Sequence, residues 1–142
     1  MKGSFETIIV DKEGDLAWVT LNRPEVANAF NTRMAEELLE VFSEFVSGAR
    51  KARCIILTGA GERAFCAGGD LKQRHGMTDE EWYQQHVVFE ELARALMDCP
   101  VPILGAINGA AFGGGTELTL ACDFAYAVNH ARFALTETTL GI

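Results

Sequence analysis

Apolar and β-branched residues cluster in two short stretches near the start of the chain, residues 5–11 and 15–22, on either side of Lys12-Glu13-Gly14. This pattern predicts two strands joined as a hairpin. The period then changes. Met34, Leu38, Phe42, Phe45 and Ala49 recur at spacings of three and four behind Asn31, with Gly48 near the end, which predicts a capped helix with one buried face. Residues 53–58 (RCIILT) form a continuous apolar run ended by Gly59-Ala60-Gly61, as expected of a strand covered on both faces. A glycine-punctuated loop follows over residues 61–72. Thr78 and Glu81 then make a capping box for a helix reaching about Asp98, with Trp82, Phe89, Leu92 and Leu96 on one side and Pro100 and Pro102 behind it. The remainder reads as a strand at 103–107, the glycines Gly113-Gly114-Gly115, a helix from about Thr116 to Cys122, and strand-like pieces at 124–128 and 132–135. Strands alternating with helices predict an α/β layer architecture, with residues 1–142 forming one domain or part of one.

Charge and composition narrow the function. With 12 Lys+Arg against 20 Asp+Glu, the net charge of −8 opposes binding to nucleic acid or to anionic membranes, so neither is an expected partner. No apolar run approaches a spanning length and the first residues lack a secretory signal, which makes the expected location cytoplasmic. Cys54, Cys66, Cys99 and Cys122 show no C-x-x-C spacing and are expected to be free thiols. His75, His86 and His130 have no ligand spacing, so no metal site is expected.

Two glycine-rich loops carry the candidate chemistry, AFCAGGDLK (64–72) and INGAAFGGGTEL (107–118). Each follows an apolar strand and precedes a helix, so each can aim backbone N–H groups at a developing negative charge. Neither has the phosphate-loop or dinucleotide-binding spacing, and no G-x-S-x-G elbow is present. Two carboxylates remain, Glu117 after the triple glycine and Glu137 twenty residues later. A shared apolar site would separate their proton affinities into a donor and an acceptor. Each feature also has an ordinary reading, a tight turn for the glycines, a solvated side chain for either Glu, and a helix cap for Asp70.

Taken in order, NRPEVANAFN (22–31), AFCAGGDLK, GAAFGGGTELTLACDFAYA (109–127) and ARFALTETTLGI (131–142) resemble the crotonase superfamily, in particular the enoyl-CoA hydratases. The resemblance implies a crotonase-like α/β spiral of ββα units that binds an acyl-CoA thioester across its loops. It implies main-chain oxyanion donors at Gly69 and Gly114 and catalytic carboxylates at Glu117 and Glu137. Glu117 would position and deprotonate water, and Glu137 would supply the proton at the α carbon. It further implies CoA contacts through Val26, Ala27, Ala67, Asp70, Leu71 and Lys72. No cofactor is expected, CoA being part of the substrate.

The presence of both glutamates resembles a hydratase more than an isomerase. An isomerase or other crotonase activity, or a CoA-binding piece without turnover, remains open at this point. Relative to the family the chain corresponds to roughly the N-terminal half. The other half in that family closes the acyl pocket and forms most contacts of a homotrimer or hexamer, so an uncovered apolar face is expected here.

Overall fold

The computed structural model describes residues 4–141 of the chain. Strands β1 (Ile8–Glu13) and β2 (Leu16–Leu21) form the hairpin, with Glu13 opposite Leu16, so the turn is Gly14-Asp15 and Lys12 and Glu13 belong to the strand. Gly14 takes a φ of +58°, which a side chain would oppose. The expected strand start at residue 5 is displaced because Glu37 occupies the backbone donors there. Its carboxylate accepts the Glu6 and Thr7 N–H groups at 2.7 and 2.8 Å, and also the Thr7 hydroxyl.

Helix α1 (Thr32–Ser47) starts where Asn31 Oδ1 accepts the Met34 N–H at 2.9 Å and ends at Gly48, whose φ is +77°. It buries Met34, Leu38, Phe42 and Phe45 as the spacing predicts, whereas Ala49 lies beyond its end and is exposed. The order continues with β3 (Cys54–Gly59), β4 (Ala64–Cys66), α2 (Leu71–His75), α3 (Asp79–Met97), β5 (Ile103–Ile107), β6 (Ala110–Phe112), α4 (Gly114–Ala121), β7 (Phe124–Ala127), β8 (Phe133–Ala134) and α5 (Glu137–Leu140).

The strands form a five-stranded sheet in the order β1-β2-β3-β5-β7 and a three-stranded sheet in the order β4-β6-β8. Apart from the antiparallel β1–β2 pair, every pairing is parallel. The successive pairs β3/β4, β5/β6 and β7/β8 each give one strand to either sheet and are followed by a helix, which is the expected ββα spiral.

Several local expectations are corrected. Strand β3 is fully buried on one face only, because Ile55 and Leu57 are inaccessible while Ile56 and Thr58 face the other side half-buried. In α3 the capping box of Thr78 and Glu81 is present, but Trp82 points outward, 48% exposed, and stacks on His86 with ring centres 3.8 Å apart. Gln85 takes the buried place on that helix together with Leu92, Ala95 and Leu96. The four cysteines are free, as expected. Among the described residues no helix is long and apolar enough to cross a membrane.

The expected uncovered apolar side chains lie along the last strands and their neighbours. Leu120, Phe124, Tyr126, Phe133, Leu135 and Leu140 are all exposed, at the β7 edge of the larger sheet and the β8 edge of the smaller.

Glu37 ties the N-terminal strand to α1. Its side chain is 2% exposed. Burial pushes its carboxyl up, but the Glu6 and Thr7 donors and the Arg33 guanidinium outweigh this, and the net shift is below the usual carboxylate range. Such a group contributes stability above the unfolded-state value of about 4.3 and loses it as pH falls through the lower folded-state value. Glu37→Ala should therefore lower unfolding free energy by about 3 kcal/mol at pH 7 in urea titrations, by stranding buried donors. The gap between variant and wild type should shrink below pH 4.3, as stated by the same linkage.

Candidate active site

The glycine loops meet through contacts that leave no room for a side chain. A Cβ on Gly115 would overlap the Cys66 carbonyl oxygen, and one on Gly68, whose φ is +94°, would stand 2.8 Å from that of Phe112. The backbone of the first loop therefore lies directly on the start of α4. Helix α4 begins at Gly114, two residues before the expected Thr116, because Gly113 turns the chain at φ +50° and the next two glycines can pack helically against β4. The Gly114 N–H, at the first helical position, has no partner in the helix ladder. Among the described residues neither Gly69 nor Gly114 donates its N–H to an internal acceptor.

Both candidate carboxylates lie at this junction. Glu137 Oε1 is 2.6 Å from where a Cβ on Gly113 would be, and Glu117 Oε2 is 4.0 Å from the corresponding point on Gly114. Glu117 is exposed and Glu137 half-buried, so the described residues do not enclose the pair in the shared apolar surroundings expected from the sequence. Glu137 is the first residue of α5, a helix that sequence reading did not anticipate. Its segment is held by Gly113 N–H donating to the Ala134 carbonyl at 2.8 Å, and by the Thr116 hydroxyl lying between the Ala111 and Ala134 carbonyls at 2.7 and 2.9 Å.

The expected CoA contacts are adjacent in space. Val26 closes a single 3-10 turn, and Ala27 and Asn28 follow in the left-handed conformation, each with φ 54°. The Ala67 N–H donates to the Ala27 carbonyl at 3.0 Å, Phe30 N–H donates to the Gly68 carbonyl at 2.7 Å, and Asp70 N–H to the Phe30 carbonyl at 3.0 Å. Leu71 and Lys72 are exposed on α2, and Ala67 is exposed just before it.

Asp70 is the N-cap of α2, as the ordinary reading holds. It accepts from Lys72 and Gln73 N–H and pairs with Arg23 at 3.1 Å. Burial alone would raise its carboxyl, but the Gln73 N–H and the Arg23 guanidinium hold it below the usual carboxylate range. It is therefore an anion committed to its own loop. Cys66, fully buried in β4, has its thiol pushed up to about 11 by burial, which removes it as a nucleophile near neutral pH.

Sequence reading missed the residues that hold these loops. Asn28 is completely buried, accepts from Arg23 N–H at 2.9 Å and donates to the Ala60 and Ala64 carbonyls, both at 3.0 Å. Gln73, Arg74 and Gln85 form a second polar cluster beneath α2. Neither group follows a period or spacing rule, so only their polarity within otherwise apolar or turn segments marked them.

Known proteins share this fold and much of its sequence. Residues 11–142 match the enoyl-CoA hydratase/isomerase family. A short-chain-enoyl-CoA hydratase of Clostridium acetobutylicum is 37% identical over 138 residues, covering 97% of this chain and 52% of that protein. A crotonyl-CoA hydratase of Syntrophomonas wolfei is 32% identical over 139 residues, covering 98% of this chain and 53% of its own length. The crystal structure of an enoyl-CoA hydratase from Bacillus anthracis superposes with a TM-score of 0.90 at 43% identity, covering 96% of this chain and 53% of that one. The chain thus spans about half the length of the relatives it matches.

The loop junction itself is testable. Gly115→Ala should cost about 2 kcal/mol or more of unfolding free energy, since backbone cannot yield to a methyl as a flexible side chain can. Gly76→Ala, where nothing lies within 4 Å, should change stability by less than about 0.5 kcal/mol in the same urea titration.

Proposed function

Because the chain belongs to the enoyl-CoA hydratase/isomerase family, we propose that it supplies the oxyanion site and the acid and base of a hydratase acting on 2-enoyl-CoA thioesters. The observation that carries this reading is the Glu137 carboxylate set against Gly113 where the two glycine loops touch, with Glu117 one helical turn away. In this reading the Gly69 and Gly114 N–H groups receive the thioester oxygen as it gains charge. Removing one such donor typically costs about 3 to 4 kcal/mol of transition-state stabilisation.

Hydration adds the water oxygen to the β carbon while the double-bond electron pair moves toward the α carbon and the thioester oxygen. Glu117 takes a proton from the water and Glu137 gives one to the α carbon, so one proton is accepted and one donated per turnover. CoA enters as part of the substrate and no separate cofactor takes part. The exposed Ala67 and Lys72, beside the half-buried Ala27, suit the long CoA moiety. The exposed apolar side chains at the β7 and β8 edges suit assembly as a homotrimer or hexamer with the site closed by further protein. Free thiols suit a cytoplasmic setting.

In the intact protein, Glu117→Gln and Glu137→Gln should each slow hydration of crotonyl-CoA by a factor of about 10² or more. Free CoA should bind the variants within about threefold of wild type, since the carboxylates are assigned to the acyl end of the substrate. Near-normal turnover in both variants would remove the assignment. Turnover of a 3-enoyl-CoA with none of crotonyl-CoA would make the activity an isomerase instead.

A further inference from the structure

Arg74 is a half-buried cation with no anionic partner among the described residues, and it lies directly over Gly69. Its Cζ and Nη2 are 3.1 Å, and Nη1 3.4 Å, from where a Cβ on Gly69 would be. Its Nε donates to Gln85 Oε1 at 3.3 Å, and its guanidinium carbon is 5.9 Å from the centre of the Phe89 ring. Gln85 is 1% exposed and is held in turn, donating to Thr32 Oγ1 at 2.8 Å and Gln73 Oε1 at 3.2 Å. A buried amide and a ring face therefore fix this head group, in place of a carboxylate.

The other partly shielded arginines are neutralised. Arg23 meets Asp70 at 3.1 Å and Arg50 meets Glu44 at 2.6 Å. Among the described residues no Asp or Glu oxygen is in ion-pair range of Arg74. A partly shielded guanidinium held by an amide oxygen and a ring face keeps its charge free to act on a neighbouring anion or polarised carbonyl. Gly69 has no left-handed φ, so its backbone does not demand glycine, and its missing side chain is the space in which the guanidinium lies.

We infer that Arg74 is a positioning residue of the proposed site, its charge beside Gly69 strengthening the polarisation of a bound thioester carbonyl by the main-chain donors. The inference deepens the hydratase reading and rests on it. Arg74 does not touch the reacting carbons. It adds a fixed positive field on the side where the enolate oxygen develops, in a place already shaped by Gln85 and Phe89.

The test is the absorption spectrum of an arylacryloyl-CoA, a conjugated thioester whose band moves to the red when its carbonyl is polarised. Wild type should bind it with a red shift, Arg74→Gln should retain less than about half of that shift, and Arg74→Lys should retain most of it, since Lys keeps the charge without the planar fork. Affinity for free CoA should change by less than about threefold in both variants, because the guanidinium is assigned to the acyl end.

An undiminished shift in Arg74→Gln overturns the inference and leaves the hydratase reading standing. A tenfold loss of free CoA affinity with an unchanged shift overturns it too, by making Arg74 a contact of a CoA phosphate. Failure of wild type to bind or shift the thioester overturns the hydratase reading itself. Far-UV circular dichroism establishes folding, and if Arg74→Gln does not fold, loss of the shift in folded Arg74→Lys overturns the role of charge.

Discussion

The Cys66 carbonyl lies so close to the α carbon of Gly115 that no side chain fits between them. That contact sets where the remaining parts of the site can be. It seats the first turn of α4 on β4, and the reverse contact of Gly68 with the Phe112 carbonyl fixes the other loop from the opposite side. The smaller sheet adds the parallel pairs β4–β6 and β6–β8. Together these bring Gly69, Gly114, Glu117 and Glu137 to one region although they are spread over 69 positions, from residue 69 to residue 137. Small residues here serve close backbone approach, and among the described residues the Gly69 and Gly114 N–H groups beside them make no internal hydrogen bond.

Strain and polar bonding around this junction are matched. Ala27 and Asn28 both adopt left-handed backbone, at a cost on the order of 1 kcal/mol each. The Asn28 side chain offsets this with three hydrogen bonds that tie its loop to Arg23, Ala60 and Ala64. The Arg23–Asp70 pair then joins the loop before α1 to the cap of α2. The result is a rigid bracket on which Ala27 and Ala67 are set by a main-chain bond, not by side-chain packing. Strained residues gathered beside a proposed ligand contact fit the general pattern that such conformations persist where surrounding bonds determine them.

Much of the fold was legible because it follows periodic rules. Asn31, Gly48 and the Met34 to Phe45 spacing defined α1, and Thr78 with Glu81 opened α3. The short elements β4, β6, α2 and α5 were not legible, since a few residues carry no period and their pairing partners are distant in sequence. Trp82 illustrates a tertiary override, as its position on the apolar stripe of α3 is taken by Gln85 bonding to Thr32 and Gln73. The candidate site was legible as residues but not as surroundings. The glycines and glutamates could be named from their motifs, whereas the openness around Glu117 and the unpaired cation at Arg74 arise only from packing.

In the proposed site, two main-chain amides from separate loops act on one oxygen. The direct measurement is amide NMR of the glycine-15N-labelled chain titrated with a saturated acyl-CoA. The Gly69 and Gly114 protons should move downfield together and saturate at one ligand concentration, while those of Gly14 and Gly48, in distant turns, stay fixed. Movement of only one of the two amides, or of neither when CoA is bound, would contradict it.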